Sequence, residues 1–404
     1  MTVARDNLMN VKRVGRVLVS WVLFILSVSA CVEPYFPTIK LPDNGVLVVD
    51  GFLVSNDSTK IKLSRAQGFD SLAISSRETN ARVEILGAKG DSYVLTERTA
   101  GVYVAPQLNL DVTQQYKLRI LTQNEKEYES DFVDIRQSPP LDSLTKTELH
   151  EHDRIGFYIY AHDPDNNTRY YYWTYDETYK YASLGISVYY FENGEIIPRK
   201  YAGELHECYK TIYNNNFYLG STAGLSSDVV NRFPLMEIPQ FSIKFYYGYS
   251  ILLRQYAITD EAYSYFAVTK RNSENLGTLF DPIPSQPQSN LRCVNSPSTA
   301  VIGFFFASTV QKKRLFFTRQ EIAGPRIPFG NGVTYGPSEY SNNDCEGKLL
   351  TTEEMTAENL QGMLIYDRVF DRVTFELIGY GVSPEECLDC RFKGGVLEAP
   401  DYWR

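Results

Sequence analysis

The chain has 404 residues, 43% hydrophobic and 22% charged, so it can form two or three domains with buried cores and is not a disordered chain. Its 40 basic and 49 acidic side chains give a net charge of −9, which disfavours nucleic-acid binding, and its four histidines disfavour a histidine-rich metal centre. An aromatic share of 14%, with 30 tyrosines, favours strands, and the 26 glycines and 19 prolines favour turns between them.

Residues 1–30 predict a lipoprotein signal peptide. A basic segment precedes an uncharged apolar run, which ends at the small residues Ser29 and Ala30. Cys31 follows at once and carries the thiol that lipidation requires. The apolar run of about 14 residues is shorter than the roughly 20 that span a membrane. We therefore predict cleavage before Cys31 and anchoring of the mature chain through acyl chains on this cysteine.

Residues 31–45 contain three prolines, which favour an extended tether over a helix. From residue 46 onward, about seven short segments alternate apolar and polar residues within about 90 residues, the spacing of an immunoglobulin-like sandwich. Tyr116 fits the tyrosine corner of such a fold. The sequence therefore predicts an N-terminal β-sandwich over residues 46–137.

A Ser-Pro-Pro linker at residue 138 predicts the start of a second β-sandwich, over residues 138–320, with an insertion at about 182–290. The apolar run 301–306 predicts a buried strand that closes this second sandwich. The remaining residues, 321–404, predict a loop-rich C-terminal extension packed on the second domain. The fold class is therefore mainly β, with two tandem immunoglobulin- or fibronectin-III-like sandwiches.

Two helices are predicted outside the strands. Thr259 is a suitable N-cap, and Asp260 and Glu261 lie where the helix dipole favours acids, so an amphipathic helix begins there and ends at Gly277. A short second helix is predicted at residues 352–364.

Five cysteines remain after the lipidated one, and in the cell envelope they favour disulfides over metal ligands. An odd number leaves at least one free or paired outside the chain. Cys387 and Cys390 have the spacing of half a zinc site, but the other half is missing. Four cysteines already allow three connectivities. We expect Cys208 to pair with Cys293, and Cys345 to pair with Cys387 or Cys390.

Asp163, Asp165 and Asn167 have the spacing of the first three ligands of a calcium loop. Thr168 stands where such a loop requires glycine, and residue 174 is not glutamate. The sequence therefore favours a polar turn over a calcium site.

Residues that resemble catalytic groups do not form a complete set. His206 and Cys208 share a strand face but lack an orienting third group. Thr222 occupies the central position of a Gly-x-x-x-Gly turn where a nucleophile elbow needs serine. His150 and His152 supply at most two metal ligands. We therefore predict no catalytic residue, no metal site and no cofactor.

The segment from residue 170 to residue 181 is dense in aromatic residues, which alternate between the two faces of a predicted strand. Core packing is the favoured interpretation, because aromatic residues are typical of buried strands. A stacking or interface surface is the alternative, since exposed tyrosine and tryptophan often contribute to binding. The possible binding aromatics are Tyr170, Tyr172, Trp173 and Tyr175.

Several motifs together resemble those of one known family. They are Val48-Val-Asp-Gly51, Tyr170-Tyr-Tyr-Trp173, Tyr249-Ser-Ile-Leu-Leu-Arg-Gln-Tyr256, Gly277-Thr-Leu-Phe-Asp-Pro-Ile-Pro284, Gly303-Phe-Phe-Phe-Ala307, Cys387-x-x-Cys390, Gly394-Gly395 and Pro400-x-x-Trp403. The chain resembles a domain-of-unknown-function family of Bacteroidota outer-membrane lipoproteins, whose genes commonly lie beside those of TonB-dependent receptors. The resemblance covers nearly all of residues 31–404. It implies an accessory of a TonB-dependent transporter and carries over no catalytic residue.

These observations predict a non-enzymatic, lipid-anchored protein of the outer membrane that assists a TonB-dependent receptor in nutrient capture. A stand-alone surface binding or adhesion module and a glycan or peptide hydrolase are the alternatives. Only one acid, Glu33, lies close to Cys31, so attachment to the cell surface and to the periplasmic leaflet both stay open. The sequence does not indicate the ligand class.

Overall fold

A computed structural model describes residues 45–66, 76–149, 153–201, 203–240, 242–274, 287–321 and 345–403. All strands and helices in these ranges belong to one compact unit, Val46–Ala66 with Ala73–Arg404. This part of the chain is mainly β, as the sequence predicts. No helix within it is long and apolar enough to cross a membrane.

The strands are β1 (Val46–Val54), β2 (Thr59–Ala66), β3 (Ser76–Arg77), β4 (Arg82–Gly87), β5 (Ser92–Thr99), β6 (Val102–Ala105), β7 (Gln115–Leu121), β8 (Glu127–Ser130), β9 (Val133–Arg136), β10 (Leu141–Leu149), β11 (Arg154–His162), β12 (Tyr170–Ala182), β13 (Tyr189–Glu192), β14 (Glu195–Pro198), β15 (Glu207–Tyr213), β16 (Tyr218–Ser221), β17 (Val229–Pro239), β18 (Tyr249–Ile258), β19 (Leu291–Cys293), β20 (Val301–Gly303), β21 (Ala307–Ser308), β22 (Val310–Phe317), β23 (Lys348–Thr351), β24 (Met363–Phe370) and β25 (Leu377–Pro384). The α-helices are α1 (Asp260–Glu274) and α2 (Glu385–Leu388), and short 3₁₀ helices lie at Ile243–Phe245, Arg319–Glu321 and Cys390–Lys393.

Eight strands of the first sheet form a closed ring. They pair in the order β7, β4, β5, β6, β2, β1, β21 and β9, and β9 pairs again with β7. Alternate apolar residues of these strands, among them Leu47, Val83 and Tyr103, form one buried cluster. The Tyr116 hydroxyl donates to the Asp111 carbonyl at 3.2 Å, the backbone contact that a tyrosine corner makes.

The closed ring corrects the predicted N-terminal sandwich. Strand β21 lies between β1 and β9, parallel to both. Strand β20 also pairs with β1, through Leu47 and Val301, so the run 301–306 does not close the second sandwich. Strand spacing within residues 46–137 predicted the local strands correctly. It could not indicate that their last partners come from the distant segment 301–308, because consecutive strands usually pair with each other and no pattern within a strand marks a distant partner.

Two further sheets face each other and share one core. One has the order β15, β12, β18 and β22, with β16 also paired to β12, and the other has the order β10, β11 and β17. Their facing side chains, among them Phe157, Trp173 and Ile251, belong to one buried cluster. Strand β12 is central, because it pairs with β18 on one side and with β15 and β16 on the other.

The C-terminal region contains a sheet of order β14, β13, β24, β25 and β23. The helix predicted at residues 352–364 is wrong, because turns lead directly into β24. The Glu354 carboxylate accepts hydrogen bonds from the Thr351 amide and hydroxyl at 2.8 and 2.9 Å, which closes the first of these turns. Residues 345–403 therefore contribute three strands, and two strands from the predicted insertion complete their sheet.

The start of α1 agrees with the prediction. The Thr259 hydroxyl accepts a hydrogen bond from the Ala262 amide at 3.2 Å, and Asp260 and Glu261 lie in the first turn. The predicted end at Gly277 lies outside the described residues.

Two disulfides link residues of the second half of the chain. Cys345 pairs with Cys387, which is one of the two partners expected for it. Cys208 pairs with Cys390, whereas Cys293 is free and buried, so the expected Cys208–Cys293 bond is wrong. Cys293 belongs to β19, which pairs with β8 in the first sheet, while Cys208 belongs to β15 in a different sheet.

We predict that replacing Cys208 and Cys390 together with serine lowers the free energy of unfolding by about 5 kcal/mol, since the bond closes a loop of 182 residues. The matched double replacement of Cys345 and Cys387, whose loop spans 42 residues, costs about 4 kcal/mol. Urea unfolding measures both losses. Non-reducing peptide mapping gives the connectivity, and a peptide that joins Cys208 to Cys293 would contradict it.

Candidate functional site

Three of the four aromatic residues proposed for binding, Tyr172, Trp173 and Tyr175, are buried. Tyr171, Trp173 and Tyr175 face the cluster between the two facing sheets and are buried. The Trp173 Nε1–H donates to the Gln255 side-chain oxygen at 3.0 Å, and its ring lies 4.6 Å from that of Phe233. Burial raises the pKa of the Tyr171 hydroxyl.

The other face of β12 is covered as well. Tyr172 is buried, and its ring centroid lies 5.3 Å from Phe217 and 5.2 Å from Phe266 of α1. Tyr170 is half-buried beside Tyr263, 5.0 Å away. The alternative of an exposed aromatic surface is therefore wrong for this strand, because α1 covers the face that strand alternation would expose.

Asp163 closes a turn, as the favoured interpretation predicted. Its carboxylate accepts the amide hydrogens of Asp165, Asn167 and Thr168 at 3.0, 2.9 and 2.8 Å. Burial alone would raise the pKa of this carboxyl, but the three backbone N–H groups together hold it below its usual value.

The residues that resemble catalytic groups take part in structural bonds. Cys208 forms a disulfide, and His206 Nδ1 lies 3.0 Å from the Ser183 hydroxyl. The Thr222 hydroxyl donates to the Asp228 carboxylate at 2.5 Å. Within the described ranges, no group of three or more His, Cys, Asp and Glu side chains could hold a metal. His150 and His152, as well as Cys31, lie outside those ranges.

A cleft of about 690 Å³ lies between the first turns of α1 and strands of the first sheet. Its walls come from four separate segments of the chain. The lining residues are Asp131, Phe132, Val133, Asp134, Arg136, Ile258, Thr259, Asp260, Glu261, Ser264, Tyr265, Val268, Pro287, Gln288, Ser289, Asn290, Phe304, Phe306 and Ala307.

Aromatic rings form the apolar wall of the cleft. The ring of Tyr265 on α1 lies 5.3 Å from that of Phe304. The ring of Phe306 stacks on that of Phe52 with a centroid distance of 4.2 Å, which fixes it from the side of β1. Phe304 and Phe306 belong to segment 301–308, whose strand β21 pairs with β1 and β9. The pairing that closes the ring therefore also places these two rings in the wall of the cleft.

Carboxylates dominate the charged part of the cleft. The described lining has one guanidinium, that of Arg136, and four carboxylates: Asp131, Asp134, Asp260 and Glu261. Asp131 is paired with Arg292. The Glu261 backbone N–H, the Thr259 hydroxyl and the positive charge of Arg136 hold the pKa of the Glu261 carboxyl below its usual value. The cleft therefore favours ligands that carry positive charge or hydrogen-bond donors.

Side-chain bonds fix the wall opposite α1. The Ser289 hydroxyl donates to the Gly303 carbonyl at 2.6 Å. The Asn290 amide donates to the Phe305 carbonyl at 2.7 Å and accepts the Phe305 N–H at 2.9 Å. A second cleft of about 580 Å³ shares Tyr265 and residues 287–289 with the first, so the available space continues along α1.

The sequence predicts two parts of this site, but it does not predict that they lie next to each other. The N-cap signal at Thr259 and the phenylalanine run at 304–306 were both recognised. Their juxtaposition follows from the pairing of β21 with β1 and β9, for which the sequence has no local signal.

The protein is rich in β-strands and has an open cleft at the start of helix α1. A family model described as "Domain of unknown function (DUF4249)" matches residues 32–314. The chain therefore belongs to the DUF4249 family.

Two of the solved structures that resemble this chain are distant from it in sequence and in fold. A mutant alpha-2-macroglobulin from Salmonella is 10% identical over 85% of this chain, with a TM-score of 0.18. A chitinase from Bacillus thuringiensis is 14% identical over 50% of this chain, with a TM-score of 0.14. The chain spans 17% and 29% of the lengths of these two proteins. A search of curated proteins gives no match.

We predict that Asp163→Asn makes stability less sensitive to acid. The folded-state pKa of Asp163 lies below its unfolded value, so the carboxylate contributes stability above the unfolded pKa, and this is lost as pH falls through the folded pKa. Urea unfolding near pH 6 and near pH 3 should show a smaller pH-dependent loss in the variant. Addition of Ca²⁺ should change neither protein, and a calcium-dependent gain in the wild type would contradict the turn assignment.

Proposed function

We propose that this protein is a non-enzymatic, lipid-anchored protein of the outer membrane that assists a TonB-dependent receptor in nutrient capture. The observation that carries the proposal is the cleft beside α1. Its volume of about 690 Å³ lies within the roughly 300–1,000 Å³ typical of small-molecule sites. Aromatic and charged groups converge on it, as they do in sites that fix the orientation of a ligand.

The chemistry of the cleft supports a ligand with several polar hydrogens. Tyr265 and Phe304 offer apolar surface, while Asp134 and Glu261 offer hydrogen-bond acceptors. A saccharide or an organic amine combines an apolar face with such donors. Anionic ligands would meet a negative rim and are disfavoured.

Cys208 and Thr222, the possible nucleophiles, both take part in structural bonds. These bonds support ligand binding over hydrolysis. The sulfur of Cys208 is committed to Cys390, and the Thr222 hydroxyl is committed to a buried carboxylate. A nucleophile needs an adjacent base and a free path to substrate. Cys208 has no free thiol, and Thr222, although its hydroxyl donates to a carboxylate, is buried and has no open path to a substrate.

The predicted anchor supports a position close to a membrane receptor. Lipidation of Cys31 would leave about 14 residues before β1, a tether that reaches at most about 45–50 Å. A ligand held in the cleft would then stay near the membrane. An accessory role needs this proximity, whereas a freely diffusing binding protein does not.

We predict that Ser264→Trp abolishes ligand capture without unfolding the protein. Ser264 is exposed on α1 and lines the cleft, so an indole there occupies ligand space. The matched control is Arg271→Trp, an exposed position on the same helix that does not line the cleft. Thermal-shift measurements against defined saccharides, amines and peptides should show a shift for wild type and control only. Equal shifts in all three proteins would place the ligand elsewhere.

We predict that Cys31→Ala prevents lipidation and leaves an uncleaved precursor, because this cysteine is the residue that the signal peptidase and the acyl transfer both require. Labelling with palmitate measures the result. Affinity purification of the wild-type chain from detergent extracts should recover a TonB-dependent receptor. Recovery of label in the variant would contradict the anchor, and absence of the receptor would favour a stand-alone binding module.

A further inference from the structure

Three alternate residues at one strand line the cleft beside α1. Phe132 directly precedes β9, and Asp134 and Arg136 belong to it. All three residues are exposed, whereas Ile135 between the last two is buried in the core of the ring. Because alternate residues of a strand point to the same face, the outer face of β9 presents an aromatic ring, a carboxylate and a guanidinium to the cleft in that order.

The other carboxylates that line the cleft already have contacts within the protein. Asp131 is paired with Arg292. Glu261 is bonded to its own backbone N–H at the start of α1. Asp260 lies beside the Tyr170 hydroxyl, whose pKa its carboxylate raises. These three acids therefore serve the local structure first.

Asp134 and Arg136 differ from these acids, because their charges are not used by the described fold. Among the described residues, neither side chain takes part in a hydrogen bond or an ion pair, and the two do not pair with each other. Arg136 acts on Glu261 only through its positive charge. The cleft therefore offers a ligand one negative and one positive group from the same face of one strand.

Phe132 supplies exposed apolar surface next to these charges. It is 43% exposed, whereas Phe304 and Phe306 in the aromatic wall are buried. Lys117 lies 5.3 Å from the centroid of the Phe132 ring and is paired with Glu129 at 2.7 Å, so this cation has a partner already. An apolar group of a ligand can pack on the exposed part of the ring.

The two opposite charges distinguish between classes of ligand. A simple amine would pair with Asp134 but would be repelled by Arg136, and a simple carboxylate would meet the reverse arrangement. A neutral saccharide would leave both charges without an opposite charge. A zwitterion pairs with both, and hydrogen bonds between ionised groups are stronger than those between neutral groups.

We propose that the cleft binds a zwitterionic amino compound, a free α-amino acid or a short peptide, with its ammonium on Asp134, its carboxylate on Arg136 and an apolar side chain on Phe132. Residues i and i+2 of a strand lie about 7 Å apart, a separation that a compact zwitterion between two side chains can bridge. The described lining of the adjoining cleft has no charged side chain and leaves room for a longer ligand. This inference rests on the proposed capture function and names its ligand class.

The test measures binding by isothermal titration calorimetry with the full-length chain in detergent. The probes are L-phenylalanine and the dipeptide alanylphenylalanine, each also as its amide, which lacks the carboxylate, and as its N-acetyl form, which lacks the ammonium. At least one zwitterionic probe should bind, and each cap should weaken it about tenfold or more, because each cap removes a hydrogen bond between charged groups. The tighter of the two zwitterions identifies a free amino acid or a peptide as the preferred form.

Charge-removing variants assign each end of the ligand to one residue. Arg136→Gln should weaken the zwitterion about tenfold or more and leave its amide unchanged or tighter, since the amide is only repelled by the guanidinium. Asp134→Asn should weaken the zwitterion equally and leave its N-acetyl form unchanged or tighter. The matched controls are Arg372→Gln and Glu376→Gln, at exposed residues that do not line the cleft, and they should bind like the wild type.

The pattern across probes separates a binding role from a structural one. Because Asp134 and Arg136 are exposed and unbonded within the described structure, the Tm of both variants should match that of the wild type. An equal loss for capped and uncapped probes in either variant would overturn the proposal. Capped probes that bind wild type as tightly as the zwitterions, or zwitterions that do not bind at all, would also overturn it.

The identity of the ligand separates this inference from the function on which it rests. A saccharide that binds the wild type but not Ser264→Trp, while the zwitterions do not bind, would keep the capture function and overturn the ligand class. Zwitterion binding by a chain that recovers no TonB-dependent receptor would support the ligand class and contradict the accessory role.

Discussion

Burial of β12 on both faces is the constraint on which the rest of the structure depends. Its ten-residue antiparallel ladder with β18 and its pairing with β15 and β16 satisfy the backbone on both sides. Aromatic side chains then fill the cluster between the facing sheets on one side and the contact with α1 on the other. Their polar ends are also satisfied, since the Tyr171 hydroxyl donates to Asp228 at 2.8 Å and the Tyr249 hydroxyl donates to Glu177 at 2.5 Å.

The first sheet is completed by residues 301–308, which come after most strands of the two facing sheets in the sequence. Strand β21 completes the ring, and the next residues continue into β22 of the sheet built on β12. Asn56 fixes this crossing, because its side chain donates to the Val310 carbonyl at 3.0 Å and accepts the Val310 N–H at 2.7 Å. The Ser138 N–H donates to the Thr309 hydroxyl at 2.7 Å at the same junction. The two sheets are therefore connected by consecutive strands and by hydrogen bonds that tandem independent domains would not have.

The cleft and the C-terminal sheet lie in different parts of this architecture. The cleft uses α1 and the ring-closing segment, where bonds from Ser289 and Asn290 hold the backbone in place. The C-terminal sheet is linked to α2 by the Cys345–Cys387 bond.

The sequence by itself determined the local features of this protein. Alternation predicted the strands of residues 46–137, Thr259 predicted the start of α1, and the density of tyrosines predicted a core strand at 170–181, because each signal lies within a few residues. Only the tertiary structure decided the closure of the ring by residues 301–308, the pairing of Cys208 with Cys390, and the cleft. These depend on contacts between distant segments, whose free energy is a property of the packed chain and leaves no pattern in any single segment.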